Sequence, residues 1–165
     1  MNYKRLGYQF EKEVGEGLSK LKGWYFKIPD TRTMQFTTVK VPADYIWCGP
    51  DSTIFLEAKQ TSKTRFPLRN IKEHQLRISL KVNSMTATKY FLIIYFKYHK
   101  RCFLIRPEYL IDAWDVSIPY QSIPLELFEQ KGIEVKRFTA KYNNNKCAYI
   151  DLRQLYYINK TDMFI

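Results

Sequence analysis

Asp44, Glu57 and Lys59 are the residues of this chain whose types and spacing suit a single chemical task. Glu57 and Lys59 stand two apart within Thr53-Ile54-Phe55-Leu56-Glu57-Ala58-Lys59-Gln60-Thr61, a run that reads as a strand. Side chains two apart leave the same face of a strand, so this pair projects together while Leu56 and Ala58 point to a core. Asp44 opens a second apolar run, Pro42-Ala43-Asp44-Tyr45-Ile46, and Gly49-Pro50-Asp51-Ser52 between the runs reads as a hairpin turn. Two carboxylates and one ammonium then converge on one spot, a cradle for a magnesium ion beside a phosphodiester. Asp44 and Glu57 are the expected ligands, with the backbone carbonyl of Ala58 as another. Lys59 is expected as a compact positive charge near the attacking water or the scissile phosphate. Glu-x-Lys by itself equally describes an exposed strand end with a surface ion pair. The upstream Pro-x-Asp, the basic charge and the order of elements favour a metal-dependent nuclease.

The elements that must position these groups follow from periodicity. Leu6, Phe10, Val14, Leu18 and Leu21 recur at helical spacing, which predicts a helix over Tyr3 to Leu21, ended by Gly23. Glu11 lies at the edge of that stripe, and its position alone reads as a solvated flank residue like Glu13 and Glu16. Trp24 to Ile28 reads as a short strand stopped by Pro29-Asp30, and Asp30 to Val41, with Arg32 and Lys40, as a loop or loose β arm. After the hairpin, Ser62-Lys63-Thr64-Arg65 is a basic loop. A helix is expected from about Asn70 to Met85, with Ile71, Gln75, Ile78 and Val82 on one face, Leu76 and Leu80 widening it, and His74 on its flank. Tyr90 to Tyr98 reads as a buried strand joined by a basic turn to Cys102 to Ile105, and Pro107 starts a short helix to about Trp114. Ile133 to Thr139 and Cys147 to Leu152 alternate as strands around the turn Asn143-Asn144-Asn145. The order predicts an α/β sandwich with a mixed central sheet. It forms a single domain over residues 1–165, with a core of about 3–114 and a C-terminal extension of 115–165.

Composition sets outer limits. The chain has 165 residues, enough for one full core, and a net charge of +11 with 16% aromatics, which points to a polyanionic partner, most often nucleic acid. The three cysteines are widely spaced and there are two histidines, which argues against structural zinc and fits a reduced, cytoplasmic location. No signal peptide or membrane-spanning run is read from the sequence, and no Gly-rich phosphate loop, so neither a membrane partner nor a nucleotide cofactor is expected.

The series Phe55-Leu56-Glu57-Ala58-Lys59-Gln60-Thr61, Phe66-Pro67-Leu68, Ile71 and His74-Gln75 resembles the RecU-type Holliday junction resolvases of the PD-(D/E)XK nuclease superfamily. Gly7-Tyr8-Gln9-Phe10-Glu11 looks like that family's opening helix, and Pro29 and Asp44-Tyr45 fall in matching order. The likeness spans roughly residues 5 to 98; the last 50 or so residues match nothing that can be named. It implies a restriction-endonuclease-like αβββαβ core with a mixed central sheet flanked by helices. It also implies a homodimeric, magnesium-dependent endonuclease, with manganese able to substitute, that binds branched DNA and nicks two opposing strands of a four-way junction. The host cytoplasm would be its location if the gene is carried by a phage. By position, Asp44, Glu57 and Lys59 take the catalytic roles, with Glu11 as an additional acidic member and metal ligand. Gln60, Thr61, His74 and Gln75 match family positions with supporting or DNA-facing roles, and Lys63, Arg65, Arg32 and Lys40 are candidate DNA contacts. The stretch Asp30 to Val41 is shorter than the basic arm of the family. A nuclease of the same fold with another task, restriction or flap cleavage, and a nucleic-acid-binding relative without catalysis are the competing expectations.

Overall fold

The computed structural model describes residues 3–29, 41–111, 121–142 and 145–158. Helix α1 (Tyr3–Leu18) leads into strand β1 (Trp24–Lys27), then the hairpin β2 (Tyr45–Cys48) and β3 (Thr53–Thr61). Next come β4 (Phe66–Pro67), α2 (Glu73–Asn83), β5 (Thr88–Phe96), β6 (Arg101–Ile105) and α3 (Glu108–Ile111). The chain closes with β7 (Ser122–Ile123), α4 (Leu125–Lys131), β8 (Ile133–Val135), β9 (Arg137–Tyr142) and β10 (Asn145–Ile150). The main sheet has six strands in the order β1-β2-β3-β5-β6-β8. β3 and β5 are parallel and every other pairing in it is antiparallel, so the sheet is mixed, as expected. A parallel neighbour needs a crossover, and α2 supplies it.

Both faces of this sheet are covered, which gives the chain two cores. On one side Phe10, Val14 and Leu18 of α1 pack onto Tyr45, Trp47, Ile54, Leu56 and Ala58. On the other side Leu76 and Val82 of α2, Leu110 of α3 and Phe128 of α4 pack onto Tyr90, Leu92 and Ile94. The near-continuous apolar run of β5 follows from this double burial. α1 stops at Leu18, three residues short of the expected end. Gly23 follows with φ +126°, and an added Cβ there would lie 2.4 Å from the carbonyl oxygen of Cys48, so only glycine allows the return into β1.

Several expectations need correction. α2 starts at Glu73, not near Asn70, because Leu68–Asn70 forms a separate 3₁₀ turn. Its buried face is Gln75, Leu76, Ser79 and Val82, and Leu80 is exposed; the polar Gln75 and Ser79 are turned inward because both find partners there. Glu13 is not a solvated flank residue: it is buried, gripped by both ends of the Arg137 guanidinium at 2.6 Å. The stretch after residue 115 contributes to the main body. β8 extends the main sheet, and Ile150, Leu152 and Leu155 enter the α1-side core. Ile133 to Thr139 divides between β8 and β9, and β7 and α4 were not foreseen. Asn145 is the first residue of β10, not a turn residue. Residues 30–40, 112–120 and 143–144 lie outside the described residues, and with them the arm carrying Arg32 and Lys40, the end of the Pro107 helix and most of the Asn turn.

Candidate active site

The hairpin brings the expected trio to one face. Tyr45 pairs with Leu56, so Asp44, one step before β2, comes level with Glu57. Tyr45 and Trp47 face α1, as do Leu56 and Ala58, which leaves Asp44, Glu57 and Lys59 on the α2 side. Asp44 accepts the Ala58 N–H through Oδ2 at 2.8 Å. Glu57 is buried and accepts through Oε1 from the Lys59 ammonium and, at 2.6 Å, from Gln75 Nε2. Gln75 in turn accepts the Lys72 N–H on its own Oε1 at 3.1 Å, capping the start of α2. That second bond orients the amide, so its NH₂ end faces Glu57. Helix α2 therefore clamps the carboxylate from above while β3 holds it from below.

The electrostatics of the site ask for a cation. The Asp44 carboxyl is pushed up from 3.8 to about 7, first by burial, then by the Glu57 charge, with Glu11 adding to the effect. The Ala58 N–H and Lys59 act the other way without cancelling it. Burial, together with Glu11 and Asp44, also pushes the Tyr45 hydroxyl up. Among the described residues the bonds to Asp44 and Glu57 occupy Oδ2 and Oε1, leaving Oδ1 and Oε2. A residue's N–H and C=O point to the same side of a strand, so the Ala58 carbonyl opens beside Asp44 as well. Two carboxylate oxygens and one carbonyl suit a hard divalent ion that retains several waters. Among the described residues no three His, Cys, Asp or Glu side chains gather into a cage, so any such site is an open one.

Other expected site residues are placed differently. Glu11 sits on α1, and its carboxylate pairs with Lys27 at 3.0 Å. Its backbone carbonyl accepts the Tyr45 hydroxyl, also at 3.0 Å. Expected as a further ligand, Glu11 stands on the α1 side of the site, and its charge adds to the upward push on the Asp44 carboxyl. Gln60 points to the α1 side, below Gly7. Thr61 is buried and its hydroxyl accepts the Lys63 N–H, which shapes the basic loop. Arg65 is fastened to Ser122 by two hydrogen bonds of 2.9 and 2.8 Å, so its first task is to hold β7. Lys63 is exposed and His74 half-buried in the first turn of α2. Lys27 was not singled out in advance; its place at the end of β1, on the same face as Tyr25, is the only signal that pointed to it.

A family model described as Recombination protein U matches residues 29–155. The chain belongs to the RecU family. RecU proteins are Holliday junction resolvases, and the match covers the trio, Gln75 and the C-terminal strands. It extends to residue 155, well into the C-terminal stretch for which the sequence alone offers no counterpart, and it begins after Gly7–Glu11. The RecU fold is also seen in a solved structure at 1.6 Å, that of Hjc, a Holliday junction resolvase from the archaeal hyperthermophile Archaeoglobus fulgidus. That structure aligns with a TM-score of 0.52 at 9% identity, over 75% of this chain and 90% of Hjc. At such identity the likeness is one of fold, and the fold is restriction-endonuclease-like. No curated protein sequence matches the chain.

Proposed function

We propose that this RecU-family chain is a divalent-metal-dependent endonuclease, using magnesium or manganese, that nicks two opposing strands of a four-way DNA junction as a homodimer. The observation that carries this reading is the convergence of Asp44, Glu57 and Lys59 on one face, with Asp44 raised to about 7 by burial beside Glu57. Asp44 Oδ1, Glu57 Oε2 and the Ala58 carbonyl would hold the metal, which when bound supplies charge neutralisation at the phosphate and a more acidic water.

The chain's own residues do the rest. Gln75 and Lys59 hold Glu57 in one orientation. Lys59, mostly buried, keeps an ammonium at the carboxylate cluster, where it can turn toward a nonbridging phosphate oxygen. Tyr45, whose hydroxyl is kept protonated, supports the Asp44 end of the site from the α1 side. Exposed lysines and arginines supply phosphate contacts, so binding is salt-dependent and reads branch geometry more than base sequence.

Cleavage of a synthetic immobile junction, a flap and plain duplex, with magnesium and with chelator, tests the proposal. Symmetric nicking of the junction alone, abolished by chelator, is expected. Equal cutting of plain duplex would reject junction selectivity.

A further inference from the structure

Strand β1 closes one end of the six-stranded sheet and has no strand on its outer side among the described residues. All four of its residues are exposed, and three are aromatic: Trp24 is 59% exposed, Tyr25 37% and Phe26 45%. Trp24 and Phe26 stack on each other at 5.9 Å with planes 10° apart. Edge strands are usually blunted by proline, bulges or charges, and β1 carries only Lys27, which is turned to Glu11.

The geometry points to β1 as the contact with a second copy of this chain, in an antiparallel β1–β1 pairing centred on Tyr25. This rests on the resolvase reading, since two equivalent scissile strands call for two equivalent sites. Three features of β1 select this occupant and this register. The first is hydrogen bonding. Ile28 donates its N–H to Asp44, so Trp24, Phe26 and Ile28 turn their backbone groups toward β2. Tyr25 and Lys27 then present theirs to the open edge, and a Tyr25–Tyr25 pair can exchange both bonds.

The second feature is parity. Opposed residues in a sheet share a face, so a two-fold axis perpendicular to the sheet pairs even residues with even ones. Centring on Tyr25 sets Trp24 against Phe26 of the other copy, and Phe26 against Trp24. The two stacked pairs merge into a four-ring cluster on the α2 face, and cross-strand aromatic pairs of this kind stabilise a sheet.

The third feature is where the sites fall. Asp44, Glu57 and Lys59 lie on that same α2 face, so both sites open on one side of a continuous double sheet. Asp44 is three residues along from Tyr25, at the level of Ile28, and one strand inward. Strand rise and spacing then place the two Asp44 positions about 25 Å apart across the axis.

A charge swap tests the contact and its register together. Because positions 24 and 26 are exposed, neither Trp24→Glu nor Phe26→Lys should disturb the fold, as circular dichroism and thermal melts will show. Sedimentation equilibrium of the full chain should give a dimer, and each variant alone should dissociate about 100-fold more readily, since each change is made at two symmetric contacts. Mixing the two variants should restore a heterodimer. The carboxylate introduced at position 24 of one chain then opposes the ammonium introduced at position 26 of the other, and the remaining Trp24 opposes the remaining Phe26. A monomeric wild type, dimers that survive either substitution, or a mixture that stays monomeric would each overturn the proposal. Magnesium-dependent junction nicking by the wild type is scored separately, so loss of this interface does not decide the resolvase reading.

Discussion

Replacing Asp44 by asparagine should make the metal-free protein more stable while ending its cutting. The Asp44 carboxyl sits at about 7 in the folded chain against 3.8, chiefly because it is buried and next to Glu57. An acid raised in this way holds its proton longer when folded than when unfolded. Stability therefore falls as pH climbs from 3.8 to about 7, and the whole loss is present above that. The cost to the fold is about 2 kcal/mol at pH 5.5 and about 4 kcal/mol at pH 8. Asparagine has nearly the same shape and can still accept the Ala58 N–H, but it carries no charge. Urea unfolding in chelator should show Asp44→Asn more stable than wild type, with the advantage growing by about 2 kcal/mol between pH 5.5 and pH 8. Magnesium should close much of the gap at pH 8 by stabilising the wild type alone. Gel shift of a junction should be nearly unchanged while nicking disappears, because most phosphate contacts lie elsewhere. A variant less stable than wild type at pH 8, or an advantage that does not grow with pH, would refute the electrostatic account of the site. Undiminished cutting would remove Asp44 from the mechanism.

Other outcomes follow from single contacts. Gln75→Leu should lower junction cleavage about 10- to 100-fold with junction binding kept, since Glu57 loses the group that orients it; single-turnover kinetics beside a gel shift will show the split. Arg137→Met should destabilise the chain by about 3 kcal/mol in urea, because it leaves the Glu13 carboxylate buried without its partner. Gly17→Ala should lower the melting temperature at a cost of about 1–3 kcal/mol, since the new Cβ would fall 2.3 Å from the Ile150 carbonyl oxygen.

Much of the site was legible in the chain because it is built from local rules. Strand periodicity alone puts Glu57 and Lys59 on one face, and the Gly49-Pro50-Asp51-Ser52 turn returns the chain so that Asp44 comes level with Glu57. The α1 stripe, the presence of a helix at α2 and the buried character of β5 were readable for the same reason: apolar spacing reports which face each element hides.

What only the tertiary structure decided are the partners of polar groups far apart in sequence. Gln75 reaches Glu57 from 18 residues away, and its role depends on how α2 is tilted over the sheet. Glu13 and Arg137 are separated by 124 residues. No pattern near Glu13 announces that an arginine on β9 makes its burial tolerable, so position alone read it as solvated. Glu11, on the same helix, was drawn instead to Lys27, because the packing of α1 against Tyr45 brings it to the end of β1. Periodicity tells which face of an element is covered, but a carboxylate's company is set by the three-dimensional path of the rest of the chain.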